Sequence, residues 1–131
     1  MKLPQAMPPD CQVVLYEKEG DSLPVAYSID STAITITHPT GNIWHGGTQK
    51  KKLPIPKAKV EALYQLILDN HFDQIENKSS ANSNPLKKDI SISVFFNKRS
   101  VVVHNGLLQL SAEDEMRFEN IRTTILALLP Y

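Results

Sequence analysis

Apolar and polar residues alternate in short runs through the first half of the chain. They then recur every three to four residues, alternate again, and return to the longer spacing at the end. Alternation marks a strand with one buried face, and the longer period marks a helix with one buried stripe. Gln12–Glu17 is the first β-type run, and Gly20-Asp21 supplies a turn into a second at Leu23–Ile29. Asp30-Ser31 marks the next turn. In Ala33–His38, Ile34, Ile36 and His38 fall on one face, with Thr35 and Thr37 on the other. Pro39-Thr40-Gly41-Asn42 carries turn chemistry, because proline fixes φ and glycine admits positive φ. A short strand is expected at Ile43–His45, broken by Gly46-Gly47, and Lys50–Ile55 reads as a basic connector with room for one edge strand. Connections this short suit an antiparallel meander, since parallel strands need long crossovers.

Pro56 sits where helices tolerate proline, at the first helical position. From there Val60, Leu63, Tyr64 and Ile67 fall at i, i+3, i+4 and i+7, widened by Leu66 and Leu68. Asn70 is the expected stop, with Phe72 and Ile75 folding back beneath the helix end. Asn77–Asp89 is the most loop-like segment, rich in asparagine, serine and lysine. Ile90, Ile92, Val94 and Phe96 then alternate with Ser91, Ser93 and Phe95, Asn97-Lys98-Arg99 turns the chain, and Ser100–His104 returns as the partner strand. Ser111 followed by Asp114 resembles a capping box, and Glu113, Asp114 and Glu115 suit the positive end of a helix dipole. Phe118, Ile121, Ile125 and Leu128 form the last stripe. The expectation is α+β: one domain over residues 11–131, an antiparallel sheet made of a meander plus a hairpin, with two helices packed on one face. Residues 1–10 hold three prolines and no period, and are expected to form a flexible arm.

Composition narrows the function classes. At 131 residues with 41% hydrophobic content, the chain is long enough for a core that needs no metal or disulfide staple. Lysine plus arginine and aspartate plus glutamate each number 14. A formal charge of zero gives no general attraction to nucleic acid or anionic membrane, and little repulsion between copies, which leaves self-association open. The single cysteine, Cys11, excludes an internal disulfide. The start lacks the apolar run of a signal peptide, so a cytoplasmic protein is expected as the sequence stands, or a periplasmic or exported one if a signal was removed. No stretch of about 20 apolar residues suggests a membrane span.

Candidate chemistry is sparse. His38, His45 and His104 are strand histidines that would have to converge from separate strands to bind a metal, and a small metal-dependent or hydrolytic enzyme built on them is the alternative to a binding role. His71 is more simply a cation near a helix C-terminus. Cys11 has no histidine near it in sequence, and no Gly-x-Ser-x-Gly elbow is present. Lys50, Lys51, Lys52, Lys57 and Lys59 cluster near Trp44 and could hold a nucleic-acid backbone weakly. The simpler account is an edge strand protected by lysines. No cofactor and no catalytic residue is expected.

The run Pro24-Val25-Ala26-Tyr27-Ser28-Ile29-Asp30, the strand with Ile34 and Ile36, the helix containing Lys59-Val60-Glu61-Ala62-Leu63 and its continuation Asn70-His71-Phe72-Asp73-Gln74-Ile75 make up a layout, completed by Asp89 and a terminal helix. This layout resembles that of small uncharacterised bacterial α+β domains that are often exported. More loosely it is similar to the emfourin-type inhibitors of thermolysin-like metalloproteases. The resemblance implies a protein-binding role in which inhibition is one version, and it assigns no functional residue. The first turn reads Glu19-Gly20-Asp21 where the inhibitor type has Gly-Gly. The expected function is thus a non-enzymatic module that binds another protein. Its candidate surface is Trp44 and His45 together with Ser79, Asn82, Asn84 and Pro85.

Overall fold

The computed structural model describes residues 3–18, 24–40, 47–75, 89–105 and 110–129. The strands are β1 (Gln12–Lys18), β2 (Val25–Ile29), β3 (Ala33–Thr40), β4 (Gly47–Pro54), β5 (Asp89–Phe96) and β6 (Arg99–Asn105). The helices are α1 (Lys57–Asp69) and α2 (Ala112–Ala127), with a short 3-10 turn at Phe72–Gln74. The strands form one antiparallel sheet in the order β4-β3-β2-β1-β5-β6. The meander β1 to β4 therefore grows in one direction from β1, and the β5–β6 hairpin is added on the other side. This is the expected α+β architecture.

One face of the sheet carries Val13 and Leu15 of β1, Ile29 of β2, Ile34 of β3, Ile92 and Val94 of β5 and Val103 of β6, all buried. Both helices cover that face: α1 contributes Val60, Leu63, Tyr64 and Ile67, and α2 contributes Phe118, Ile121 and Ile125. Fully burying a side chain of this kind contributes about 1.5–3 kcal/mol, so these stripes hold the helices down. Glu17 also lies on the covered face. Its Oε1 accepts from Arg122 Nε at 2.7 Å, and Arg122 Nη1 donates to Glu119 at 3.3 Å. Burial lowers the Arg122 pKa, but the Glu17 hydrogen bond and charge outweigh it and leave the guanidinium held more firmly protonated.

Several boundaries depart from expectation. Pro39 and Thr40 belong to β3 and pair with Thr48 and Gly47, so the turn does not begin at Pro39. The β2–β3 pairing ends at Ala26 with Thr37, so the missing proline N–H falls beyond the neighbouring strand. Pro56 is the N-cap in extended conformation, one residue before the first helical position. The short strand expected at Ile43–His45 and the turn at Gly20-Asp21 lie outside the described residues. Phe72 and Ile75 do tuck under α1, and Ser111 Oγ accepts from Asp114 N at 3.2 Å as the N-cap of α2.

The N-terminal segment, expected as a flexible arm, is packed against the domain from residue 3 onward. Leu3 is 3% exposed within the core cluster, and its N–H donates to Asp73 Oδ2 at 2.8 Å. The Tyr64 hydroxyl donates to the Pro4 carbonyl, and Asn97 N–H donates to Asp10 Oδ2 at 2.7 Å. Residues 3–10 thus belong to the packed body. Proline content argues against regular structure, but it does not weigh the burial of one leucine.

Candidate functional site

Antiparallel register decides where the connections leave the sheet. Lys18 pairs with Asp89, Glu17 with Val25, Thr40 with Gly47 and Ile90 with Asn105. All of these strand ends lie at the same end of the sheet. The segments 19–23, 41–46, 76–88 and 106–109 attach there. Trp44 and His45 belong to the second of these, and Ser79, Asn82, Asn84 and Pro85 to the third; all six lie outside the described residues. The attachment points of those two segments are on β3 and β5, three strand spacings apart, or about 14 Å.

At the opposite end, the N-terminal segment forms an open groove of about 820 Å³ with the start of α1 and the β2–β3 turn. Gln5, Met7, Thr32, Lys57, Glu61 and Tyr64 are among its lining residues. Tyr64 on its lining, and Asp30 and Cys11 behind it in sequence or packing, are committed to structure. The Asp30 carboxylate accepts from Thr32 N at 2.8 Å, Ala33 N at 2.9 Å and Thr32 Oγ1 at 3.0 Å, closing the turn. The Thr32 backbone bond leads in holding Asp30 below the usual carboxylate range. Burial, then the Cys11 and Asp73 charges, push Tyr64 up to about 12, so its proton stays on the bond to Pro4 near neutrality. Cys11 is pushed to about 11 by burial and by Asp10, so it is held as the protonated, unreactive thiol. Sequence reasoning missed this groove because it expected residues 1–10 to stand away from the domain. Leu3, an apolar residue ahead of the prolines, was the one available signal.

The topology separates the strand histidines. β3 and β6 are four strand spacings apart, about 19 Å. His38 follows Ile34 and Ile36 on the helix-covered side, whereas His104 alternates with the buried Val103 and falls on the open side. These two do not share an ion. His45 lies outside the described residues, and His71 sits at positive φ just past α1. Among the described residues no group of three His, Cys, Asp or Glu is placed to hold a metal.

Lys50, Lys51 and Lys52 lie on β4, which is an edge strand, as the protective reading of that cluster required. Lys57 is instead on α1, 3.9 Å from Glu61 and well exposed, a pair that contributes little. The face of the sheet away from the helices carries Val14, Tyr16, Ser91, Ser93, Phe95 and Val102. Phe95 and Val102 are about two-fifths exposed there. Among the described residues no helix is long and apolar enough to cross a membrane. No family model matches the chain, and no curated protein matches it.

Proposed function

We propose that the protein is a non-enzymatic binding module that engages another protein through the connections at one end of its sheet. The supporting observation is the shared position of the strand ends flanking segments 41–46 and 76–88. Binding residues concentrate on loops that a rigid scaffold presents together, and a packed sheet backed by two helices is such a scaffold. Trp44, His45, Ser79, Asn82, Asn84 and Pro85 are the residues assigned to recognition. The protonated Cys11 thiol and the bonded Tyr64 hydroxyl favour binding over nucleophilic or acid–base chemistry. Inhibition of a thermolysin-like metalloprotease is the concrete version that the looser resemblance to emfourin-type inhibitors suggests.

Replacing Ser79–Pro85 with a short Gly/Ser connector tests the assignment. The melting temperature should barely change, because loop length alters stability by only about 0.6 kcal/mol per doubling. Capture of the native partner, or inhibition of thermolysin if that is the partner, should be lost. If the replacement leaves binding intact and Trp44→Ala does so as well, recognition does not use this end of the sheet.

A further inference from the structure

The two edges of the sheet are built differently. β4 carries Lys50, Lys51 and Lys52 in succession and ends on Pro54. Lysine and proline are the residues with which natural edge strands resist pairing with another chain. β6 reads Arg-Ser-Val-Val-Val-His-Asn, with no proline and no charge from Ser100 to Val103. Three consecutive β-branched residues favour an extended, pairing-competent strand. Among the described residues, no strand lies on the outer side of β6.

The hairpin fixes which backbone groups face outward. Asn97 and Lys98 form a two-residue loop, closed by the pair Phe96–Arg99. Such a loop closes on a pair that exchanges both hydrogen bonds, and these pairs recur at every second residue. Arg99, Val101 and Val103 therefore spend their N–H and C=O on β5, whereas those of Ser100 and Val102 point out of the edge. The Val102 side chain is 41% exposed on the open face, where Phe95, 40% exposed, also stands.

The geometry points to a second copy of this chain pairing along β6, antiparallel across a two-fold axis at Val102, which joins two six-stranded sheets into one. In that register Val102 faces its own counterpart, Val101 faces Val103 of the second copy, and Ser100 faces His104 of the second copy. Arg99 meets Asn105 of the second copy, so no like charges are opposed. The strand is complementary to itself, which is the requirement of a closed two-fold contact. Pairing β6 with β4 of the next copy would instead propagate without closing, and the lysine edge opposes it. Zero formal charge leaves no long-range repulsion between copies. The contact goes beyond the binding role above and uses none of the residues assigned to it.

Sedimentation velocity of the full chain from about 1 μM to about 1 mM tests the pairing. The expected mass rises from 14.7 kDa to twice that value and no further. Val102→Lys opposes two like charges at the axis and should weaken the dimer at least about tenfold without lowering the melting temperature of the dilute protein, while Val102→Thr should assemble as the original does. Hydrogen exchange needs no variant: the Ser100 and Val102 amides should gain protection with concentration, and the Val101 and Val103 amides, already bonded to β5, should not. A monomer throughout the range overturns the proposal. So does a dimer unaffected by Val102→Lys, a mass that keeps climbing past two copies, or protection at Ser100 and Val102 that ignores concentration.

Discussion

Cys11 and Tyr64 have side chains able to do chemistry, and both are spent on packing. The Cys11 thiol is buried beside Asp10 and titrates at about 11. At pH 8 its thiolate fraction is therefore far below that of an ordinary cysteine with a pKa near 8.5. Alkylation by iodoacetamide at pH 8 should run on the order of 100-fold slower in the folded protein than in denaturant, because the thiolate is the reacting species. Mass spectrometry of timed samples measures this directly, and equal rates in the two states would mean that the thiol is exposed and titrates normally. The lysines at 50–52 announced an edge strand, because three charges in a row fit a solvated strand better than a core. Leu3 was only a faint signal, because one leucine ahead of a run of prolines has no period to read.

Among the elements, the β5–β6 hairpin carries the clearest local strain. Asn97 and Lys98 both have positive φ, 49° and 62°. Asparagine tolerates this region, but lysine has a Cβ that crowds the carbonyl, at a cost of roughly 1–2 kcal/mol. Lys98→Gly should therefore raise stability by about 0.5–1 kcal/mol, the Asn-Gly pair being the preferred two-residue hairpin turn. The measurement is a urea midpoint at unchanged slope, and a lower midpoint would show that the Lys98 side chain contributes more than its backbone costs. Periodicity located this hairpin and both helices because each is specified within a short window: the stripe Val60, Leu63, Tyr64, Ile67 is buried throughout. Partnership between distant strands has no such window. The alternation in β1 is compatible with many neighbours, so its place beside β5 was not legible. The proposed binding end was legible only as loop-like composition, and that the strand ends share one end of the sheet emerges from register alone.

Taken whole, the molecule is two sequence blocks closed on one seam. Strands β1 to β4 form the meander and β5 and β6 the hairpin, and they meet where β1 pairs with β5 from Gln12–Phe95 to Lys18–Asp89. Above the seam, α1 follows the first block and α2 the second, linked by Asn120 Nδ2 donating to Asn70 Oδ1 at 3.1 Å. Pairing that joins residues so distant in sequence forms late, since loop closure must be met before the contacts reward it.

That seam makes the fold divisible. A single cut within residues 76–88 severs no described strand or helix, and it leaves each piece with a sheet portion and the helix that covers it. The two pieces should remain together after cleavage at a protease site placed there, co-eluting with the circular dichroism of the intact chain. Their melting temperature should become concentration-dependent, because association replaces a covalent tether. Separated in denaturant and diluted together, they should find each other again through the β1–β5 register, whereas either alone lacks half of its core. Pieces that part at micromolar concentration would show that the tether supplies most of the cohesion. Recovery of the paired form would make this chain a complementing fragment pair, in which the joining of two proteins fused to its halves is reported by a completed sheet.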